Sequence, residues 1–482
     1  MRVLELSAKL TMGLFCLLTG WLILSPPVQA AETEPNSIFI KVGEATVKRS
    51  PVAIPALLNE TTPPLSESSV GAGREIHETI VNNLSISSYF DFIKPSAYLE
   101  NVAKVSIRPI SEDPKGFRFD SWKEIGAEFL IRGSFVVSSG QISLDAQLYH
   151  VPTQRRVLGK TYRGRIADAR RVAHTFSNDV IKELTGQNGI FLSKIAVARG
   201  TRDKQREIFV MDWDGANPRQ ITNHQSLSIS PAWSFDGQWV AYSAMALRKN
   251  LKRRNLDLFM FQLPTDRRLL VSYEQGNNSG ANFLPGEDGL LLTRTNSESA
   301  SGNTDIFRIS RDGTGLRRLT NGPGRAMNVE PAVSPDGRRI AFSSDRSGVP
   351  MIYVMNIDGS DARRITFAGF FNSGPRWSPD GKRITFSAVD RNTDSRRGFS
   401  DIFVMDADGT NMIRLTSAKK PNGQMADHDS PSFSPDGRLV MYVSNRTGNR
   451  QIFVSAADGS DERRVTFDRH DYSQPVWSPR FE

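Results

Sequence analysis

Pro375-Arg376-Trp377-Ser378-Pro379-Asp380-Gly381 is the clearest copy of a phrase that recurs along the chain. A second phrase alternates with it: a segment like Ile402-Phe403-Val404, followed by one like Arg414-Leu415-Thr416. Each appears six times, some copies less complete than others. The Asp of the first phrase falls at Asp236, Asp288, Asp336, Asp380 and Asp436, with Arg480 in the sixth slot, at intervals of 44 to 56 residues. Strand-patterned repeats of roughly 40 to 50 residues indicate propeller blades of four strands each.

Within one blade the order is readable. Trp377 and Ser378 end a short inner strand. Ser378 to Gly381 form a tight turn, where Pro presets φ, Asp bonds its own backbone and Gly takes the left-handed position. Ile384 to Ser387 alternate apolar and polar residues as a second strand. Asp401 to Met405 make the third strand, Asp408-Gly409 the next turn, and Arg414 to Thr416 lie on the fourth. The second blade is degenerate: Phe283 to Gly289 keep the turn but lose the Trp-Ser, and the Asp257 to Phe261 strand is assigned to it.

The two phrases are out of phase with the chain. The first hallmark is Ile208 to Val210, and the last is Pro475 to Pro479. Pro475 to Ser478 therefore supply the inner strand missing from Ile195 to Ala198, Glu207 to Met211 and Gln220 to Thr222. Joining them closes a six-bladed ring and hides its sheet edges.

Residues before the ring lack the repeat. Arg2 and Lys9 precede an apolar run, Leu10 to Leu24, broken by Pro26 and Pro27 and followed by Val28-Gln29-Ala30. That is the grammar of a secretory leader over residues 1–30, and the run is shorter than the about 20 residues of a membrane span. Residues 31–48 form an extended segment with a strand-like Ser37 to Val42. It is either an internal strand or a tail that adds to a partner's sheet edge. Residues 49–188 read as a small α/β domain, with helical spacing over Ala72 to Leu84 and Ala167 to Leu184. A short helix is expected at Trp122 to Gly126, and a hairpin from Ala127 to Val137 and Gln141 to His150. Residues 189–482 are the propeller.

Several function classes are disfavoured. The only cysteine among 482 residues is Cys16, inside the leader, so the remaining chain has no thiol or disulfide chemistry. The net charge of +9 is exceeded by ten arginines (Arg317, Arg318, Arg363 and Arg364 among them) that recur on the outer strand of the blades. Positive side chains on edge strands discourage edge pairing. No basic cluster interleaved with aromatics offers a stack for bases, so nucleic acid is not the expected partner. No Gly-x-Ser-x-Gly, phosphate loop, dinucleotide fingerprint or His-Glu-x-x-His occurs. His224, His428 and His470 stand in loops leading into consecutive inner strands, flanked by Asp427, Asp429, Asp468 and Asp471. They are the one candidate metal or acid–base constellation, although they stand at different distances from their strands.

The leader, the small α/β domain, the six blades with Ser-Pro-Asp-Gly turns and the Pro-Val-Trp-Ser-Pro ending together resemble the TolB family of the Tol–Pal system. Two departures are Phe235 in place of Pro in the first turn and the degenerate second blade. The resemblance implies a periplasmic, non-enzymatic interaction protein with no cofactor and no metal. It implies that the propeller binds the peptidoglycan-associated lipoprotein Pal and that the N-terminal segment communicates with TolA. Both support outer-membrane integrity and invagination at division. Carried onto this chain, the Pal face falls at Ser228, Asn278, Ala281, Asn328, Val329, Asn372, Asp429 and Tyr472, and the TolA segment at Ile38, Phe39, Ile40 and Val42. The competing readings are a metal-dependent uronate lyase working through the histidine loops and a general ligand-binding propeller.

Overall fold

The computed structural model describes residues 49–61, 67–200, 205–246, 255–286, 288–295, 303–321, 326–389 and 398–481. The expected leader and the segment bearing Ile38, Phe39, Ile40 and Val42 lie outside these residues.

The first domain is a sheet backed by two helices. Its strands are β1 (Ser50–Ala53), β2 (Leu58–Asn59), β3 (Phe90–Phe92), β4 (Phe129–Ser138), β5 (Gln141–His150) and β6 (Arg155–Arg165). Their order is β3-β1-β4-β5-β6, with β2 pairing β4. The helices are α1 (Glu67–Ile86), α2 (Phe119–Glu124) and α3 (Ala169–Thr185). Helix α3 buries Ala173, Phe176, Val180 and Leu184 on one stripe, the spacing of an amphipathic helix. Gly186 ends it in the left-handed conformation, φ 71°. The β4–β5 turn carries Ser139 and Gly140 at φ 50° and 75°, the two positive angles of a type I′ hairpin. Gly73 lets α1 lie against β4: a Cβ there would stand 2.2 Å from the ring of Phe135.

Four strands escape pattern reading. Strand β6 is the long outer strand, with charged residues throughout (Arg155, Arg156, Lys160, Arg163, Arg165) and one buried aromatic, Tyr162. An edge strand with one solvated face shows no alternation strong enough to declare itself. Strands β1, β2 and β3 are too short for periodicity, and they pair in parallel with partners far along the chain.

The second domain is six four-stranded antiparallel sheets. Their inner strands are Ser228–Trp233, Asn278–Phe283, Asn328–Val333, Phe371–Trp377, His428–Phe433 and Tyr472–Trp477. Each inner strand contacts the next, and Tyr472–Trp477 contacts Ser228–Trp233, so the ring is complete. The closing blade pairs Tyr472–Trp477 with Lys194–Gly200, in the register Tyr472↔Arg199 and Trp477↔Ile195. One assignment is corrected. Asn255–Gln262, which contains Asp257 to Phe261, pairs within the first blade, beside Trp239–Ala246. The degenerate second blade takes Thr304–Ser310 as its third strand. A lost Trp-Ser had obscured where one repeat stops and the next begins.

The core lies in slabs between blades. Ala196, Ile208 and Val210 of the closing blade pack with Trp233, Val240 and Tyr242 of the first. Ile402 and Val404 of the fourth blade pack with Phe433, Val440 and Tyr442 of the fifth. Tryptophans pin the inner ring: Trp233 Nε1 donates to Val476 O and Trp377 Nε1 to Ala332 O, each at 3.0 Å and each to the preceding blade. Trp477 Nε1 donates to Ser193 Oγ at 2.7 Å, tying the last strand to the residue before the first.

The α/β domain meets the propeller at the turn face, where the Ser-Pro-Asp-Gly turns lie. Arg49 pairs with Asp461, Arg170 with Asp214, and Arg463 reaches Ser85. The Arg438 guanidinium lies 3.8 Å from the centre of the Tyr89 ring. The loops that lead into the inner strands open on the opposite face.

Trp477→Ala should cost about 3–5 kcal/mol, the usual loss for a buried aromatic truncated to alanine. Chemical denaturation monitored by circular dichroism would measure it. A change below about 1 kcal/mol would show that the closing strand is not needed to hold the ring.

Candidate functional site

Every inner strand contains a bulge. The register shifts between Ile229 and Ala232 in the first blade and at the matching place in the other five. The bulged residues Ser230, Gly280, Glu330, Gly374, Ser430 and Gln474 all have φ between 53° and 64°. Four of them are not glycine, and each carries a conformational cost of roughly 1–2 kcal/mol. The freed N–H groups reach the preceding blade: Ser230 N to Gln474 Oε1 at 2.8 Å, Glu330 N to Thr293 Oγ1 at 3.1 Å, and Gly374 N to Glu330 Oε2 at 2.7 Å. The bulge thus bends the strand around the channel and stitches blade to blade.

A second, outer stitch uses a side chain at the start of the inner strand in most blades. In the third-blade junction, Asp305 Oδ1 accepts from Thr320 Oγ1 at 2.7 Å and from Asn328 Nδ2 at 2.9 Å, while Arg318 pairs with Oδ2 at 2.7 Å. Thr320 Oγ1 in turn accepts from Ile306 N at 2.9 Å. The closing blade repeats the device with Glu207, Thr222 and Ser228. The fourth uses Asp401, Thr416 and His428, whose Nδ1 lies 3.1 Å from Asp401 Oδ1. In the third blade Met351 replaces the acid, and Asn372 Nδ2 finds its sulfur at 3.2 Å. Buried polar groups must be paired, and here the pairing joins consecutive blades.

These clamps relocate most of the expected partner-binding residues. Ser228, Asn278, Asn328, Asn372 and Tyr472 are buried, as is Ala281 deeper in its strand. Asn278 donates to Leu256 O and Glu274 O, and accepts from Ser272 Oγ at 2.8 Å. Their side chains point into the junctions, which corrects the expectation that they project toward a partner. Only Val329 and Asp429 are half-exposed, and Asp429 pairs with Arg450. An arginine at 278 or 328 would bury a charge.

Several outer-strand arginines are also partly absorbed. Arg318 and Arg414 pair with the buried Asp305 and Asp401. Arg364 and Arg464 lie 5.0 and 4.9 Å from the ring centres of Phe367 and Phe467.

What the lead-in face does expose is aromatic. Phe367 and Phe467 are 75% and 73% exposed, at the same position of two blades, just after the clamp threonine, and Phe467 also lines a cleft with Glu78, Thr79 and Asn82 of α1. Tyr273, Met327, Phe370 and Phe371 are exposed in the neighbouring lead-in loops. The available signal was the residue after Arg-Arg-Ile-Thr, aromatic in Thr366-Phe367 and Thr466-Phe467 and polar in Thr222-Asn223 and Thr416-Ser417.

The three histidines have separate duties. His224 Nε2 lies 3.2 Å from Tyr242 Oη, and burial pushes its pKa down. His428 is a clamp residue, and His470 contacts Asp468 at 3.1 Å. Burial favours the neutral Asp468, but hydrogen bonds from Tyr472 and His470 outweigh it and hold the carboxyl below its ordinary range. None of the three histidines belongs to a set of three or more ligand-bearing side chains among the described residues.

One such set does exist, His174, Asp212 and Asp214, at the domain interface. His174 Nδ1 meets the Asn83 amide at 3.1 to 3.2 Å, and its Nε2 is buried without a partner. Asp212 already holds Lys194 and accepts from Asn217 Nδ2 at 2.7 Å, and Asp214 already holds Arg170. Two carboxylates neutralised by two fixed cations offer a divalent ion little attraction. The set reads as an interdomain ion-pair cluster.

The fold and the face define a class: a closed six-bladed propeller with an N-terminal α/β domain, built as a rigid scaffold. Residues 38–157 match the TolB amino-terminal domain, and residues 181–396 and 392–482 match the TolB beta propeller domain. The chain belongs to the TolB family. It is 33% identical over 288 residues to the Tol-Pal system protein TolB of Desulfosudis oleivorans, covering 59% of this chain and 61% of that protein. It is 30% identical over 407 residues to the protein TolB homolog of Chlorobium luteolum, covering 84% and 85%. The Tol-Pal system protein TolB of Bordetella pertussis is 32% identical over 362 residues, covering 75% and 77%. The crystal structure of TolB from Acinetobacter baumannii shares the fold, with TM-score 0.71 at 21% identity over 92% of this chain and 100% of that one.

Asp305→Ala should lower stability by about 3–5 kcal/mol, because it strands Arg318 and unpairs Asn328 and Thr320. Asp266→Ala, in the exposed pair with Arg219, should leave the melt nearly unchanged. Equal melts for the two variants would contradict the clamp. Acid should also act through His174. Burial lowers its pKa to about 4 while the nearby Asp214 and Asp212 oppose the shift. The unfolded chain therefore binds this proton first, and stability falls as pH drops from about 6.5 toward 4, by on the order of 3 kcal/mol. His174→Gln should flatten that slope, and an unchanged slope would remove His174 as its source.

Proposed function

We propose that this chain is a periplasmic adaptor of the Tol–Pal system. Its lead-in face binds Pal, its N-terminal segment engages TolA through Ile38, Phe39, Ile40 and Val42, and it catalyses no reaction. The two contacts together serve outer-membrane integrity and invagination at division. The observation that carries this reading is the exposed aromatic surface at Phe367, Phe370, Phe371 and Phe467 on a closed, clamped ring. A rigid ring loses little entropy on docking, and aromatics supply large contact area with few rotors. Val329 and Asp429, half-exposed beside these aromatics, belong to the same proposed surface.

Family membership and the names of the relatives support the system assignment. A periplasmic location rests on the leader grammar of residues 1–30. Among the described residues no helix is long and apolar enough to cross a membrane.

Phe367→Ser with Phe467→Ser should weaken Pal binding about 10-fold or more with an unchanged melting temperature, because both side chains are solvated in the free protein. Deleting residues 31–42 should abolish TolA capture and spare Pal capture in the same surface-plasmon assay. Unchanged Pal affinity in the double variant would overturn the aromatic face. Loss of both partners on the deletion would assign the segment a folding role.

A further inference from the structure

The channel holds a cavity of about 670 Å³ on the turn side, walled by the inner strands and the Ser-Pro-Asp-Gly turns. That is within the roughly 300–1,000 Å³ of small-molecule sites. Just past the bulge, the fold sets one residue of each blade at the same level: Ala232, Asn282, Ala332, Arg376, Ser432 and Val476. All six line the cavity, and of these only Arg376 is charged; a second arginine, Arg480, lines the cavity in the sixth turn slot.

The neutral polar pair is already engaged. Asn282 Oδ1 accepts from Val333 N at 3.0 Å, and Ser432 Oγ from Trp477 N at 3.1 Å. The Arg376 guanidinium is not. Among the described residues its one hydrogen bond runs from Nη1 to the carbonyl of Pro375, its own neighbour, at 2.9 Å. A guanidinium carries five donors in a planar fork. Desolvation lowers its pKa, with Glu330 acting against the shift. Glu330 is itself occupied, since its Oε2 accepts from Gly374 N at 2.7 Å and Ser343 Oγ at 3.3 Å. The aspartates at the mouth are spent on their turns: Asp380 and Asp436 each take their Ser hydroxyl at 2.5 Å and a backbone N–H at 3.1 Å. A half-buried cation with unused donors, in a cavity walled by proline and tryptophan, is set to receive an anion.

We propose that this lumen is a binding site for a carboxylate on an apolar body, such as the C-terminus of a peptide, held by Arg376. The fork takes both carboxylate oxygens in parallel. The apolar part packs on the lumen walls, where Trp377 adjoins the arginine and lines the cavity. The site is distinct from the lead-in face and does not depend on the Pal assignment.

Acetyl-Ala-Leu-Val is titrated as the free acid and as the amide into the full chain, with tryptophan fluorescence as the signal and acetate as a competitor. The acid should give a saturable change, with binding at least about 10-fold weaker for the amide, a factor of ten being the scale of one lost charge-assisted contact. Acetate alone should bind weakly, which separates a peptide site from a bare anion site. Arg376→Gln should bring acid and amide to the same weak level and leave the melting temperature nearly unchanged, because the half-buried guanidinium makes only one hydrogen bond, to its own neighbour. Arg376→Lys, which keeps the charge but not the fork, should retain part of the preference. Equal binding of acid and amide to the unaltered chain, acid binding unaffected by Arg376→Gln, or no saturable change at millimolar peptide would each overturn the proposal. The acid–amide comparison stands even if a variant folds poorly.

Discussion

A ring of sheets has one weak seam, the place where its last blade meets its first. Here the seam is moved inside a blade. Tyr472–Trp477 hydrogen-bond along Lys194–Gly200, so opening the ring means breaking a strand pairing and not just parting two packed faces. Trp477 then donates to Ser193, just before the first strand. The slab cores, the bulges and the clamps all need neighbours on both sides, so all of them depend on that pairing. The same closure removes the free edges that an open stack of inner strands would present.

Within the closed ring, two layers of polar contacts hold blades in angular register. The inner layer is the bulge N–H reaching back one blade, and the outer layer is the acid–threonine–inner-strand clamp. Apolar packing alone is tolerant of small rotations, because dispersion is non-directional. Hydrogen bonds at Asp305 or Glu207 are directional, and leaving them unmade in a buried junction is costly. This division gives a scaffold whose loops hold fixed relative positions. The exposed aromatics and the lumen arginine are useful to a partner or ligand only on such a support.

The clamp also explains why residues that read as surface contacts are buried. Asn278, Asn328 and Asn372 are polar, stand at loop–strand boundaries and recur, which is what surface contact residues look like in one dimension. Their burial comes from the third strand of the neighbouring blade, some 20 residues away in sequence. Phe367 and Phe467 pose the converse problem. An aromatic next to an apolar strand reads as core, yet the chain turns before the ring reaches the slab. The histidines divided similarly: spacing put them in consecutive loops, while packing gave each a different partner.

The repeat, its period, its turn chemistry and its offset were legible from residues, because Pro, Asp, Gly and alternating apolar positions act over a few neighbours. They suffice for six blades, the shared closing blade and the two long helices. Strands β1, β2, β3 and β6, the owner of the Asn255–Gln262 strand, the bulges and the clamps depend on contacts between residues far apart in the chain. So does the isolation of Arg376, which in sequence is one arginine among many. Only the assembled lumen sets it among five uncharged neighbours and leaves its donors unused. Local rules specify what each segment becomes; burial and pairing, which are properties of the whole ring, specify what each side chain is left able to do.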